Sequence, residues 1–318
     1  MPRRLLRILL ILLFVPPVMA AVMGWLAAPS FLHPVRRPLT PDLIREADAS
    51  FAHSRAHRED FTVTAPDGTE LRGWKVRPEN PNGSWVLLFH GVADNRVGTI
   101  GQSEILLGAG YGVVMMDQRA HGESGGAMAT YGWLERNDTR AVVNLLSASE
   151  HPAHIFALGE SMGAGIALQS AGIDPRIEAV AAEAPFASLR EASYDYAGLQ
   201  EYPLLGRTFF APGAWMMLYR GGKLAGFPAA GVSPEKAVAG RVFPVLLICD
   251  EADTTLPCRH TKRIYAAARG PKSFWEVPGA FHTAALGFAP EEFRRRVLDF
   301  FGAAAPGAEP TSVSNPRH

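Results

Sequence analysis

Short apolar runs recur through the middle of the chain: Trp85 to Phe89, Gly112 to Met116, Ile155 to Leu158, Ile177 to Ala182, Val245 to Cys249 and Ser273 to Val277. Each is too short for a helix and lacks polar alternation, so each reads as a strand buried on both faces. Longer stretches of helical periodicity lie between them: Val97 to Ala109, Tyr131 to Ser147, Met162 to Ser170, His260 to Ala268 and Pro290 to Phe301. Strands alternating with helices need right-handed crossovers, which predicts an α/β fold with a mostly parallel sheet and helices on both faces. Ahead of this region, Phe61 to Ala65 and Leu71 to Arg77 flank Pro66-Asp67-Gly68 and predict an opening hairpin.

The N-terminus follows another pattern. Arg3, Arg4 and Arg7 precede an almost uncharged stretch from Ile8 to Ala28, long enough for a helix to cross about 30 Å of hydrocarbon. Two readings are open. One is an uncleaved anchor; the other is a secretory signal whose apolar region, Leu5 to Val15, is broken by Pro16-Pro17 and cleaved after Val18-Met19-Ala20. The apolar run continuing through Val22, Met23, Trp25 and Leu26 favours the anchor, with Trp25 suited to a membrane interface. Either way the globular body is expected outside the cytoplasm, periplasmic or at the cell surface, or secreted after cleavage; Arg36 and Arg37 weaken the charge asymmetry. Prolines 29, 34, 38 and 41 predict an extended tether from Pro29 to Pro41, within a proline-rich tether and lead-in over residues 29–57. A globular domain over 58–301 follows, then a disordered tail over 302–318, rich in Ala, Gly and Pro.

Composition narrows the function classes. Thirty-one basic and 31 acidic residues among 318 leave zero net charge, so no bulk field attracts nucleic acid. A single membrane-length stretch excludes a multi-span transporter. Two cysteines, Cys249 and Cys258, supply neither a disulfide framework nor a four-thiolate metal site. Two readings remain open for the pair: a bridge around the acidic turn between them, or two small buried apolar groups.

Candidate chemistry centres on Gly159-Glu160-Ser161-Met162-Gly163, set between a predicted strand and a small-residue helix. A serine on such a turn projects its hydroxyl from the sheet, and the flanking glycines, Gly159 and Gly163, leave room for a strained backbone. Serine is a weak nucleophile without a base, so Ser161 requires a later histidine oriented by a carboxylate. Asp253 lies just past the strand ending at Cys249, and His282 past the strand ending at Val277. Asp250 and Glu251 share the turn with Asp253 and are alternative orienters; His121 is an alternative base, though it reads better as a loop histidine bonded to backbone. Asp117 and Arg119 are expected to pin that loop. The oxyanion hole is expected from the backbone N–H groups of Met162 and Val92, with Gly91 permitting close approach and His90 supporting the loop.

With the order Ser, Asp, His in place, the chain resembles the α/β-hydrolase superfamily from about Phe61 to Phe301. The resemblance rests on His90-Gly91, the Asp117-x-Arg119-x-x-Gly122-x-Ser124 loop, the Ser161 turn, Asp253 and His282. Its membrane segment, proline tether and hairpin are similar to those of bacterial membrane-anchored α/β-hydrolase-domain proteins. The resemblance implies an eight-stranded sheet, no metal or other cofactor, and hydrolysis through an acyl-enzyme. One departure is Phe281 before His282, where relatives often carry glycine, which is expected to narrow the approach to the histidine.

Residues 186–241 are too long for a plain crossover and carry many aromatic and methionine side chains, among them Tyr194, Tyr196, Tyr202, Trp215 and Met217. They predict an inserted helical cap with an apolar underside, suited to a small-molecule or lipid-like acyl substrate. The leading functional expectation is a serine esterase acting on a carboxylic ester or thioester. The alternatives are a serine peptidase or amidase on the same fold and a catalytically silent binding protein. Oligomeric state is left open.

Overall fold

The computed structural model describes residues 3–199 and 203–305. Eight strands form one sheet: β1 (His57–Thr64), β2 (Glu70–Arg77), β3 (Ser84–Phe89), β4 (Gly112–Met116), β5 (His154–Glu160), β6 (Ile177–Glu183), β7 (Val245–Asp250) and β8 (Lys272–Val277). Their order is β1-β2-β4-β3-β5-β6-β7-β8. The β1–β2 and β2–β4 pairs are antiparallel and the rest parallel, so the opening hairpin joins an otherwise parallel sheet.

Twelve α-helices are described: α1 (Arg3–Leu32), α2 (Pro41–His53), α3 (Ile100–Gly108), α4 (Glu135–Glu150), α5 (Met162–Ile173), α6 (Leu189–Tyr196), α7 (Pro203–Thr208), α8 (Ala211–Ala225), α9 (Pro234–Gly240), α10 (Arg259–Ala267), α11 (Ala285–Phe288) and α12 (Pro290–Ala304). Alternation along β3 sends Leu87 and Phe89 into the core under α4 and α5, and Val86 and Leu88 into the core under α12. Both faces of the central sheet are thereby covered, which explains why β3 to β7 read as apolar runs while β1 and β8, at the edges, keep exposed polar residues.

Three expectations need correction. First, the helix does not break at Pro16-Pro17 or stop at Ala28; α1 runs through both to Leu32. Proline forfeits intrahelical bonds but holds φ near the helical value, and the surrounding residues are all apolar. Second, only residues 34–40 of the expected tether are extended. Pro29 lies inside α1, and Pro41 opens α2, where Thr40 caps the helix by accepting the Leu43 amide. Ala47 and Phe51 of α2 are buried, Phe51 edge-on to Trp74, so α2 belongs to the globular body. The extended part is strapped down: Arg36 Nη1 donates to the Ser124 carbonyl at 2.7 Å and Arg37 pairs with Asp94 at 2.6 Å. Third, α12 carries Gly302–Ala304 as helix; the rest of the expected tail, from residue 306, lies outside the described residues.

The cap over 186–241 is helical, built from α6, α7 and α8, while α9 returns to pack against α5 and α10. Tyr202 lies outside the described residues.

Candidate active site

Ser161 sits between β5 and α5 with φ +51° and ψ −117°, a conformation that side chains other than glycine adopt only under constraint. The constraint is visible. The Ser161 amide donates to the Glu183 carbonyl at 2.9 Å, and a Cβ on Gly163 would run into the carbonyls of Phe89 and His90. Glycine at 163 therefore lets α5 close against the end of β3.

His282 Nε2 lies 2.8 Å from Ser161 Oγ, and its Nδ1 lies 2.6 Å from Asp253 Oδ2. The other Asp253 oxygen accepts the amides of Thr255 at 2.7 Å and Leu256 at 2.9 Å, so the carboxylate is fixed from both sides. The two competing acids of the turn hold backbone instead. Asp250 Oδ2 accepts the Thr283 amide and Glu251 Oε2 accepts the Gly279 amide, each at 2.9 Å. Cys249 and Cys258 are joined as a disulfide with their Cα atoms 5.3 Å apart, bracketing the turn that carries Asp253.

Val92 and Met162 line one cavity with Ser161, and Met162 opens α5, whose first amides have no intrahelical acceptor. Gly91 approaches closely enough that a Cβ there would lie 3.8 Å from Ser161 Cβ. His90 is fully buried; its Nε2 accepts the Gln118 amide at 3.0 Å and its Nδ1 lies 2.7 Å from the Gly91 carbonyl. Burial pulls its pKa down, so a neutral ring protonated at Nδ1 satisfies both contacts. His121 Nδ1 lies 2.9 Å from the Arg119 carbonyl, and burial, aided by His90, lowers its pKa to about 4. Asp117 accepts the Arg96 and Glu123 amides, and Arg119 makes a two-pronged pair with Asp138, both contacts 2.6 Å. Phe281 does not crowd His282; it is 63% exposed and packs edge-on to Phe288.

Three residues beside the site were not singled out from sequence. Tyr196 of α6 turns its hydroxyl to the Ser161 side chain while much of its ring stays toward solvent. Glu160 is held up at about pKa 7 by burial and then by Asp94, and accepts from Gln102 at 3.2 Å. Glu183, completely enclosed, is pushed well above the usual carboxylate range by burial and then by Asp250, and accepts the Ala285 amide at 2.9 Å. The available signals were weak: Glu160 is the variable letter of the serine motif, and Glu183 is one acid ending an apolar strand.

The cavity over Ser161 has a volume of about 330 Å³ and is lined by apolar side chains including Phe186, Met217 and Leu256, with Tyr196 at its edge. Ala27, Ser30 and Phe31 from the end of α1 complete its wall. A larger groove of about 720 Å³ lies along α8 and does not include Ser161, so the smaller cavity is the one that Ser161 lines.

The family described as serine aminopeptidase, S33, matches residues 80–220. An uncharacterized protein of Bacillus subtilis, YqkD, is 30% identical over 244 residues, covering 76% of this chain and 78% of that one. The lysophosphatidylserine lipase ABHD12 of Danio rerio is 26% identical over 270 residues, covering 76% of this chain and 66% of that one. Among solved structures, the Pyrococcus furiosus esterase Pf2001 superimposes with a TM-score of 0.68 at 23% identity, covering 85% of this chain and 97% of that one. Sheet order, the serine turn between β5 and α5, and these likenesses agree, and the chain belongs to the α/β-hydrolase superfamily.

Proposed function

We propose that this protein is a membrane-anchored serine esterase that cleaves carboxylic esters or thioesters of an apolar acyl group through an acyl-enzyme. The observation that carries the reading is the Asp253–His282–Ser161 hydrogen-bond chain ending in an apolar cavity. In this mechanism His282 Nε2 takes the Ser161 proton as Oγ attacks the ester carbonyl carbon. The oxygen that becomes negative accepts from the Val92 and Met162 amides. Collapse breaks the bond to the alcohol or thiol, which leaves with the proton carried by His282, and water activated by the same nitrogen releases the acid. Asp253 holds the imidazole orientation and stabilises its charged form.

An aminopeptidase reading, suggested by the matched family, asks for an acidic group to receive a free amine. Among the described residues lining the cavity over Ser161 none is a carboxylate and most are apolar, which favours an apolar acyl group instead. For location, the long apolar α1 supports an anchor with the catalytic body on the extracytoplasmic side, and the Cys249–Cys258 bridge suits an oxidising compartment.

The test is a panel of p-nitrophenyl esters of graded chain length beside aminoacyl and peptide substrates, with fluorophosphonate labelling of wild type and Ser161→Ala. Ester turnover and labelling, both lost in Ser161→Ala, support the reading. Labelling without turnover of any ester would sink it.

A further inference from the structure

Helix α1 is not an independent tether. Its first part is apolar and exposed, but Ala28 and Leu32 are fully buried, and Tyr131 fastens the last turn by donating its hydroxyl to the Phe31 carbonyl at 2.6 Å. Cap helix α8 runs beside it. A Cβ on Gly24 would collide with the Gly213 carbonyl, and one on Gly221 would meet the Phe31 ring at 3.3 Å, so both ends of the contact depend on glycine. Arg220 crosses the seam, donating to the Trp25 carbonyl with its guanidinium 4.7 Å from the Trp25 ring. The helices thus run side by side and in the same direction from about Ala20 to Leu32.

This pairing sets a height. A span of about 30 Å uses about 20 residues, which places its outer end near Met23 to Trp25 if it begins at the arginines. Gly213 of α8 lies at that level, so α7 and the start of α8 project toward the membrane rather than away from it. The side chains there suit that depth. Leu204 is 80% exposed, and Leu205, Phe210 and Trp215 are exposed as well, on α7 and the start of the helix that packs against α1. Arg190 lies 5.9 Å over the Trp215 ring and Lys223 5.8 Å over Tyr219, an aromatic and basic border typical of a lipid interface.

We propose that α7 and the first half of α8 lie in the interfacial layer of the bilayer beside α1, and that the cavity over Ser161 fills from that layer with a bilayer-resident acyl ester. This rests on the anchored-esterase reading above. The membrane helix is then part of the substrate wall, through Ala27, Ser30 and Phe31, and membrane insertion and substrate access become one geometry.

The experiment uses the full chain in phosphatidylcholine and phosphatidylglycerol vesicles containing phospholipid brominated on the acyl chain. Quenching assigned to Trp215, as wild type minus Trp215→Phe, is expected to reach at least half of that assigned to Trp25 by Trp25→Phe. Strong quenching of Trp25 with none of Trp215 overturns the proposal, and no quenching of either overturns the anchor with it. In the same vesicles, Leu204→Glu/Phe210→Glu is expected to lower turnover of a membrane-dissolved long-chain p-nitrophenyl ester at least tenfold. Turnover of p-nitrophenyl acetate should stay within twofold, which also reports an intact fold. Equal turnover of the long-chain ester by variant and wild type overturns entry from the bilayer. Absence of ester turnover in wild type counts against the esterase reading, while Trp215 quenching still decides where the cap lies.

Discussion

Asp250 Oδ2 accepts the backbone amide of Thr283 at 2.9 Å, one residue beyond His282. Thr283 has φ +56°, so the chain turns sharply just after the histidine, and Glu183 takes the Ala285 amide two residues further on. The imidazole is thereby aimed by two buried carboxyls acting on backbone as well as by Asp253 acting on its ring.

This division of labour predicts different losses at neighbouring acids. Asp253→Asn keeps the shape but loses the negative charge that holds the His282 tautomer, and is expected to lower kcat on the order of 10⁴-fold. Asp250→Asn keeps an acceptor for Thr283 and should cost less than about tenfold, since the Asp253–His282–Ser161 hydrogen-bond chain remains and only the loop loosens. Comparing kcat for both variants on one ester checks it; equal losses would show that Asp250 acts directly on the ring.

Glu160 predicts a pH dependence of stability. Its folded pKa of about 7 lies above the unfolded value of 4.5, so the folded state holds the proton more tightly. The stability this gives is complete below pH 4.5 and is lost as pH rises to about 7. Glu160→Gln keeps the shape without the titration. The variant should gain on wild type between pH 5 and pH 8, on the order of 2–3 kcal/mol, with no further change above. Thermal midpoints of both proteins across that range supply the measurement.

The disulfide closes a separation of nine residues around Asp253. Such a short loop stabilises by about 2–3 kcal/mol in the chain-entropy account. Cys249→Ala/Cys258→Ala is expected to melt several degrees lower and to lose activity, because the turn that presents Asp253 loosens. Calorimetry and ester turnover, with dithiothreitol-treated wild type as a parallel, provide the check.

Asp195 ties the cap to the body. Its buried carboxylate meets His260 Nε2 at 2.6 Å and also pairs with Arg259, while His260 Nδ1 accepts the Ala187 amide. Asp195→Ala strands a buried imidazole and one cation; Arg259 is partly exposed, so the expected loss is on the order of 2 kcal/mol. Because Tyr196 follows on α6, KM for long-chain esters should rise more than KM for p-nitrophenyl acetate. A uniform rise would mean that the pair acts on stability alone.

Sequence alone determined the order of strands and helices, the serine turn and the Ser, Asp, His succession, because each is encoded locally. Two-sided burial makes β3 to β7 read as apolar runs; glycines at 159 and 163 mark where backbone must pass close; Pro66-Asp67-Gly68 marks the hairpin. Local reading failed where a signal had two physical meanings. Proline at 41 starts a helix as readily as it extends a tether, and Thr40 with its capping bond decides between them. Only the tertiary structure decided the division between Asp250 and Asp253, the cysteine pairing, the parts taken by Tyr196 and Glu183, and the end of α1 as a wall of the cavity. Those depend on sheet order and on the cap folding back over β5 and β7. Contacts between separate loops and elements leave no periodicity in the chain, whether 29 positions apart as for Asp253 and His282 or 102 as for Glu183 and Ala285, so they become legible only once the strands are in register.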